Sequence, residues 1–402
     1  MKISTFNYKN ISSKILLALF AFIIAYRDLG NVLIDVDLTL LVIAFTALSF
    51  LNFLITEKNS YLLKQIFSIS IIILLMSFSL FWTRDYEYGL QKIKFLIPFV
   101  FSVIFLSGII INKTSKFMFF ILIISVYIST NLIFNPDGIS IHQNFRLETS
   151  DDTNPNKLGK FFGFAIISFY FFTKNLKINN KISLFLRIIA LIMFGTIIIL
   201  SGAKGALFGL LVTLIIIKLS RTKRIIINIL FLIVSFLLIM LFIPDIINNL
   251  SPETQSFLNR RFNLLTDETD SINSRFEFIQ YGFHQFQERG FLYTIFGNGI
   301  GDFKYAYKYA SYPHNIFIEV LFEMGIIGIL TMASICIFLF KMLKKYDTLN
   351  NTGQFFVFSA LYFLIIANST GDISGNFLFF TFMLLLYSFD NILQGRSELK
   401  RA

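Results

Sequence analysis

The chain is poor in charge, in cysteine and in histidine, and each shortage excludes something. Only 15% of its 402 residues are charged and 55% are hydrophobic, whereas soluble domains carry about 25% charged and about 45–50% apolar residues. That deficit excludes a water-soluble globular protein and leaves an all-α polytopic membrane protein, in line with a mean hydropathy of +0.71. The one cysteine, Cys336, sits in an apolar run, which rules out a disulfide framework or a cysteine metal site. The three histidines, His142, His284 and His314, lack metal-ligand spacing, and there is no P-loop or strand–GxGxxG–helix unit. No cofactor is expected, and Asp35-Val-Asp37 reads as a coincidence at the outer face.

Phenylalanine, by contrast, is abundant at 52 residues and reads, with isoleucine, as filler for a lipid-facing surface. A membrane helix needs about 20 mainly apolar residues. Roughly twelve segments qualify: 12–34, 37–56, 66–83, 95–112, 116–134, 158–174, 183–201, 203–219, 224–244, 315–340, 354–369 and 375–392. The first is interrupted by Arg27 and Asp28; without a small-residue cleavage site it reads as a span and not as a removed signal peptide. Between the seventh and eighth lies only SGAKG, which predicts a tight hairpin. Lys and Arg, among them Lys113, Lys116, Lys341, Lys344 and Lys345, concentrate in one set of loops, which places both termini in the cytoplasm. The basic residues are spread over short segments and form no patch for nucleic acid.

The expected organisation is a single integral membrane domain over 1–402 with two long outer loops, 135–157 and 245–314. Loops of such length are usually functional. In the larger one, NSRFEFIQYGFHQF has Ser274 and Glu277 at capping-box spacing. Phe276, Ile279, Phe283 and Phe286 recur on one helical face. This predicts an amphipathic helix starting there, on the membrane boundary or packed on the bundle.

Charges inside spans are costly and tend to mark function. In SYPHNIFIEVLFEMGIIGIL, His314 and Asn315 open the tenth span, where a helix N-terminus favours anions. Glu319 and Glu323 follow four residues apart, on one face, and Gly325 and Gly328 suit close helix contact. The bland alternative is an interfacial histidine above glutamates paired with a neighbouring cation. Lys204, in SGAKGALFG, is either a ligand contact flanked by permissive glycines or a snorkelling lysine. Arg275 falls in the first turn of the predicted loop helix, where the dipole disfavours a cation; its partner is a bound anion or an acid such as Asp267, Asp270 or Glu277. Arg146, in RLETSDDTNPNKLGK, and Arg84, grouped with Asp85, Glu87 and Lys92, are weaker anion contacts or members of solvated loops.

HNIFIEVLFEMGIIG resembles the H-N-x(8)-E-x-G-x-x-G signature of the O-antigen ligase/polymerase superfamily. SGAKGALFGLLV is similar to that family's [ST]-G-S-R-G-A helix start, and NPNKLG to its D-P-N segment. NSRFEFIQYGFHQF followed by FGNGIGDF resembles the stretch where it carries an arginine and then G-x-G. The likeness runs from about residue 145 to 335. It implies a metal-independent glycosyltransferase of GT-C type in the bacterial inner membrane, working at the periplasmic face on an undecaprenyl-pyrophosphate-linked oligosaccharide. The acceptor would be a second lipid-linked glycan for a polymerase or lipid A-core for a ligase; membrane lipids and a chain-length regulator are the other expected partners. His314, Glu323, Gly325 and Arg275 match motif positions. Lys204 stands where arginine is usual, keeping the charge but losing the bidentate fork. On this reading His314 and Arg275 are the catalytic candidates. Lys204, Arg275, Arg146 and Arg84 would contact the pyrophosphate, with Glu319, Glu323 and Asn315 in support. A polysaccharide transporter is the contrasting class: the two buried glutamates would suit it, while the absence of an internal repeat and the gathering of polar residues at one face speak against it.

Overall fold

The computed structural model describes residues 8–29, 37–56, 73–134, 140–141, 147–148, 155–176, 178–220, 269–288, 290–307 and 310–399. Within them the chain is an all-α bundle: α1 (Tyr8–Leu29), α2 (Leu38–Thr56), α3 (Tyr86–Asn112), α4 (Thr114–Phe134), α5 (Pro155–Asn175), α6 (Asn180–Ser201) and α7 (Lys204–Ser220). There follow α8 (Thr269–Glu288), the short α9 (Phe291–Phe296) and α10 (Asp302–Ala306), then α11 (Ile316–Lys344), α12 (Asn351–Ala367) and α13 (Phe377–Leu399). Ser140–Ile141 and Leu147–Glu148 pair as a two-residue antiparallel ladder. Among the described residues five helices, including α3, α6 and α11, are long and apolar enough to cross a membrane. Ten predicted spans coincide with helices. Of the third, residues 73–79 are helical. The ninth, 224–244, lies outside the described residues, as do Arg146, most of the 135–157 loop and residues 245–268 of the larger one.

The apolar composition is divided between two surfaces. Isoleucines and leucines such as Ile188, Leu191 and Ile192 on α6 are exposed, as a lipid-facing wall requires. Many phenylalanines are not. Phe20, Phe99, Phe117, Phe164, Phe355 and Phe382 are fully buried, while Phe81, Phe185 and Phe208 are exposed, so phenylalanine serves the core as well as the lipid-facing surface. Phe164 and Phe382 meet at 5.2 Å, and Phe99 and Phe377 edge-on at 4.7 Å. Such offset and edge contacts add to area burial. They matter more between membrane helices, where lipid is as apolar as the core and the hydrophobic drive to associate is weak.

Two predicted boundaries move. The fourth span begins nine residues early, at Tyr86, because Asp85 caps the helix by accepting from Tyr88 N at 3.0 Å. The loop helix α8 begins at Thr269, ahead of Ser274. Ser274 is therefore inside the helix and not its cap, and Arg275 falls in the second turn, where the dipole argument has largely faded.

Candidate functional site

SGAKG closes the predicted hairpin. Gly202 caps α6 in the left-handed region, φ 67°, and its N–H returns to Ile199 O at 3.0 Å. Lys204 is then the first residue of α7. Small residues let this turn nest among its neighbours: a side chain on Gly159 of α5 would collide with Ala203, and one on Gly205 would collide with Ser369. The SGAKG turn, the NPNKLG start of α5 and the α12–α13 loop thus meet at one end of the bundle.

A polar cavity of about 420 Å³ opens there, lined by Arg27, Tyr88, Gln91, Lys92, Asn156, Lys157, Lys160, Tyr312, Thr370, Gly371, Asp372, Ser374 and Gly375. Asp372 organises the α12–α13 loop. Its carboxylate accepts from Gly375 N at 2.6 Å, from Ser374 Oγ at 3.0 Å and from Tyr88 Oη at 3.2 Å. Burial alone would push this carboxyl up, but Lys92, the Gly375 N–H, Arg27 and Ser374 together outweigh it and hold it below the ordinary carboxylate range. The loop in turn orients two cations: Arg27 donates to Ser374 Oγ at 3.3 Å and Lys160 to Gly375 O at 3.0 Å. The interruption of the first span is therefore its Arg27 end, stacked 3.9 Å over Phe95.

His314 stands beside the cavity. Its ring lies 4.5 Å from that of Tyr312, a cavity residue, and 5.9 Å from that of Phe278 on α8. Its φ of 55° makes it the one non-glycine with positive φ among the described residues. Such strain clusters at functional sites. Asn315 next to it caps α11, its Oδ1 accepting from Phe317 N at 3.0 Å and Ile318 N at 3.1 Å. Those two N–H groups are thus satisfied from within, and Asn315 fixes the residue after His314. The backbone of Arg275 lies one turn before Phe278.

Glu319 and Glu323 are fully buried, and so is their partner. Lys92 Nζ donates to Glu319 Oε1 at 2.6 Å and to Glu323 Oε1 at 2.8 Å. The bland alternative for the glutamates is what the structure holds, and Lys92 belongs to the interior of the bundle and not to a solvated outer cluster. Beside this lock α11 breaks: Gly325 has φ 63° and ψ −154°. A break leaves carbonyls of the preceding turn without helical donors, and the FGNGIGDF turn supplies them. Asn298 N donates to Phe322 O at 2.9 Å and Gly299 N to Glu323 O at 3.0 Å. A Cβ on Gly325 would come within 2.5 Å of Ile295 O, so this glycine lets the end of α9 and the turn after it reach the α11 backbone. Trp82 Nε1 adds a bond to Gly297 O at 3.1 Å. Arg84 holds the end of the same turn, Nε to Asp302 Oδ1 at 2.9 Å and Nη2 to Asp302 Oδ2 at 2.7 Å. That pairing raises the pKa of Arg84 further and engages its fork with a carboxylate of the chain.

An apolar groove of about 430 Å³ runs along the other side of the lock, between α3, α11 and α13, from Val320 past Met324 and Gly328 to Phe338, with Leu96 and Ile373 in its wall. Ile373 follows Asp372, and Leu96 is one turn from Lys92, so cavity and groove share a wall. Sequence reasoning missed Arg27, Lys157, Lys160 and Asp372 as site residues. The two lysines lay within a segment already singled out, while Arg27 and Asp372 join them only through contacts remote in sequence.

The fold and this site define a polytopic helical membrane protein with a cation-lined cavity at one end and strained motif residues beside it. Residues 188–333, which carry Lys204, Arg275, His314 and Glu323, match the family described as O-antigen ligase. That stretch is a little over a third of the chain, and the match supports the resemblance to the O-antigen ligase/polymerase superfamily, whose members are glycosyltransferase-type enzymes. No curated protein matches it.

Proposed function

We propose that the protein is an O-antigen polymerase of the inner membrane, joining undecaprenyl-pyrophosphate-linked repeat units at the periplasmic face. The observation that carries this reading is the meeting of the Lys204 hairpin, the NPNKLG helix start and the Tyr312–His314 corner around one polar cavity. In the reaction, the anomeric C–O bond to the donor's diphosphate breaks and its electron pair leaves with the diphosphate. An acceptor hydroxyl forms the new glycosidic bond and gives its proton to His314, histidine being the side chain most often used as a general base. Lys204 and Arg275 stabilise the departing phosphate, as cation clamps do for developing charge. Glu319, Glu323 and Asn315 position the helix that bears His314. Arg84 serves the same end by holding the glycine turn through Asp302, and Arg146 is a further anion contact. The groove shared by α3, α11 and α13 suits a polyprenyl chain, since its walls from Val320 to Phe338 are almost wholly apolar.

The test is His314→Ala and Arg275→Ala in the native strain, with the lipopolysaccharide ladder read on a gel. Both variants are expected to stop at core plus one repeat unit. Bare core would identify a ligase, and a normal ladder at normal protein levels would sink the site assignment.

A further inference from the structure

We infer that α9 is an interfacial anchor: its aromatic side chains seat in the lipid boundary on the His314 side of the bundle and hold the glycine turn at that depth. FLYTIF is six residues long, and none of them is buried. Phe291 is 77% and Leu292 67% exposed, and Tyr293 and Phe296 are exposed as well. Hydropathy places this segment in an outer loop, where four large apolar side chains on one short helix would stand in water. Apolar patches of that kind mark an interaction surface. The neighbouring α8 is placed differently. Its Phe278 is buried with Phe303 and Phe322, and a Cβ on Gly282 would come within 2.6 Å of Ile318 Cγ2 on α11. Of the two places expected for the loop helix, α8 takes the bundle and α9 is left for the membrane boundary.

Continuity and depth both name lipid as what covers α9. Trp82 Nε1 donates to Gly297 O at 3.1 Å, and its ring meets that of Phe296 edge-on at 6.4 Å. Just before Trp82, the exposed Leu74, Phe78 and Phe81 recur at helical spacing, so the surface of α9 continues the lipid-facing side of the third apolar segment. For the depth, a hydrocarbon core of about 30 Å takes about 20 helical residues. Counted back along α11 from Lys341, the first lysine of its basic end, that core ends near Phe322. Phe322 O accepts from Asn298 N at 2.9 Å, two residues past α9, so α9 lies at the edge of the apolar zone. Interfacial helices rest there with their apolar face about 5–10 Å into the boundary. The surroundings have the chemistry of that level: Trp82, Tyr86, Tyr293 and Tyr305 are exposed aromatics with a polar tip, the type enriched where membrane meets water. The anchor also has something to hold. Through Asn298 and Gly299 the turn after α9 bonds to the α11 backbone at its break, so the depth of α9 is passed to the helix that Asn315 caps.

Trp82 is the one tryptophan of the chain, so wild type reports directly. The experiment is tryptophan fluorescence of the full chain in vesicles of phosphatidylcholine brominated either near the carbonyl end or near the methyl end of its acyl chains. Two variants carry the reporter elsewhere: Phe291→Trp with Trp82→Phe on α9, and Ile192→Trp with Trp82→Phe at an exposed position in the middle of α6. Shallow bromines are expected to quench Trp82 and the α9 reporter more than deep ones do, and the ratio of the two losses should exceed that of the α6 reporter. Phe291→Ser with Leu292→Ser, both at exposed positions, should lower the shallow quenching of Trp82. A ratio equal to that of the α6 reporter would place α9 within the bilayer core and overturn the inference. Quenching of the α9 reporter by aqueous iodide but by neither lipid would put the helix in water. Quenching by none of the three would mean that a second copy or another part of the chain covers it. Either result overturns the anchor, as does unchanged quenching of Trp82 in the double serine variant. The anchor does not depend on the transfer reaction, and the lipopolysaccharide ladder tests that reading separately.

Discussion

Two clusters of charge adjoin at Lys92 of α3, which belongs to one and lines the other, and they are built on opposite plans. In the lock, one lysine meets two glutamates, all three are buried, and the bonds are short. In the cavity, cations outnumber the acid on the walls, and those with defined bonds lean on hydroxyl and carbonyl oxygens. A charge buried in a bundle is tolerated when its partner is built in, and such a group is then structural. The cavity instead gathers Arg27, Lys157 and Lys160 beside Asp372 on an open wall. The two glutamates, expected in a supporting role, thus belong to the scaffold, and the overlooked lysines of α5 line the cavity.

The sharpest way to break this contrast is to remove the cation from each cluster. Lys92→Ala leaves two carboxylates buried without their counter-ion, and breaking a buried pair costs about 3–5 kcal/mol. A large drop in thermal unfolding temperature in detergent, or loss of folded protein, is expected. Lys92→Met with Glu319→Gln and Glu323→Gln should recover much of it. Lys160→Ala, equally buried but at the cavity, should be far milder in the same assay; comparable losses would erase the distinction. Next in size is Gly325→Ala. A residue forced to φ 63° costs about 1–3 kcal/mol, and the clash with Ile295 O adds to it. Because the glycine turn enters at this break, limited proteolysis of the 290–307 segment should accelerate in this variant more than in Gly195→Ala, where a Cβ has open space.

How much of this could be read from the chain follows the range of the contacts. Helices were legible because apolar runs are local: α6, α7, α12 and α13 fall within a few residues of the predicted spans. His314, Asn315 and the SGAKG hairpin were legible because caps and turns involve neighbours. The partner of Glu319 was not, since Lys92 lies 227 residues away in a polar stretch that hydropathy assigns to a loop. Once neutralised, that lysine sits inside the bundle and lengthens α3 beyond its apolar run. Gly325 was marked as a contact glycine by spacing alone, and only its backbone angles show that the helix opens there to take a loop. Asp372 had no local signal beyond a polar turn between two apolar helices; its weight comes from Tyr88, 284 residues earlier.

Smaller effects refine the comparison at its edge. Arg84 is half exposed while its partner Asp302 is buried. Exposure limits what the ion pair itself contributes, but the carboxylate left behind loses its charged donors. Arg84→Ala is expected to cost about 1–2 kcal/mol, with Arg84→Lys intermediate because the fork is lost. A cost near that of Lys92→Ala would mean that the turn at 297–301, and not the lock, carries the stability of this region.

The smallest effect is a pH dependence that belongs to the cavity side alone. Asp372 is held below its ordinary range in the folded chain, despite burial, by Lys92, the Gly375 N–H, Arg27 and Ser374. A folded pKa below the unfolded value, about 3.9 for aspartate, means that the unfolded chain takes up the proton first as pH falls. The stabilisation from Asp372 is therefore complete above the unfolded value and fades as pH drops through the depressed one. Thermal midpoints of wild type and Asp372→Asn, measured from pH 6 down to pH 3, should run parallel at the upper end and converge at the lower. If the two curves stay parallel to pH 3, Asp372 is not the brace of the α12–α13 loop, and the placement of Arg27 and Lys160 must be carried by the neutral contacts of Ser374 and Gly375 alone.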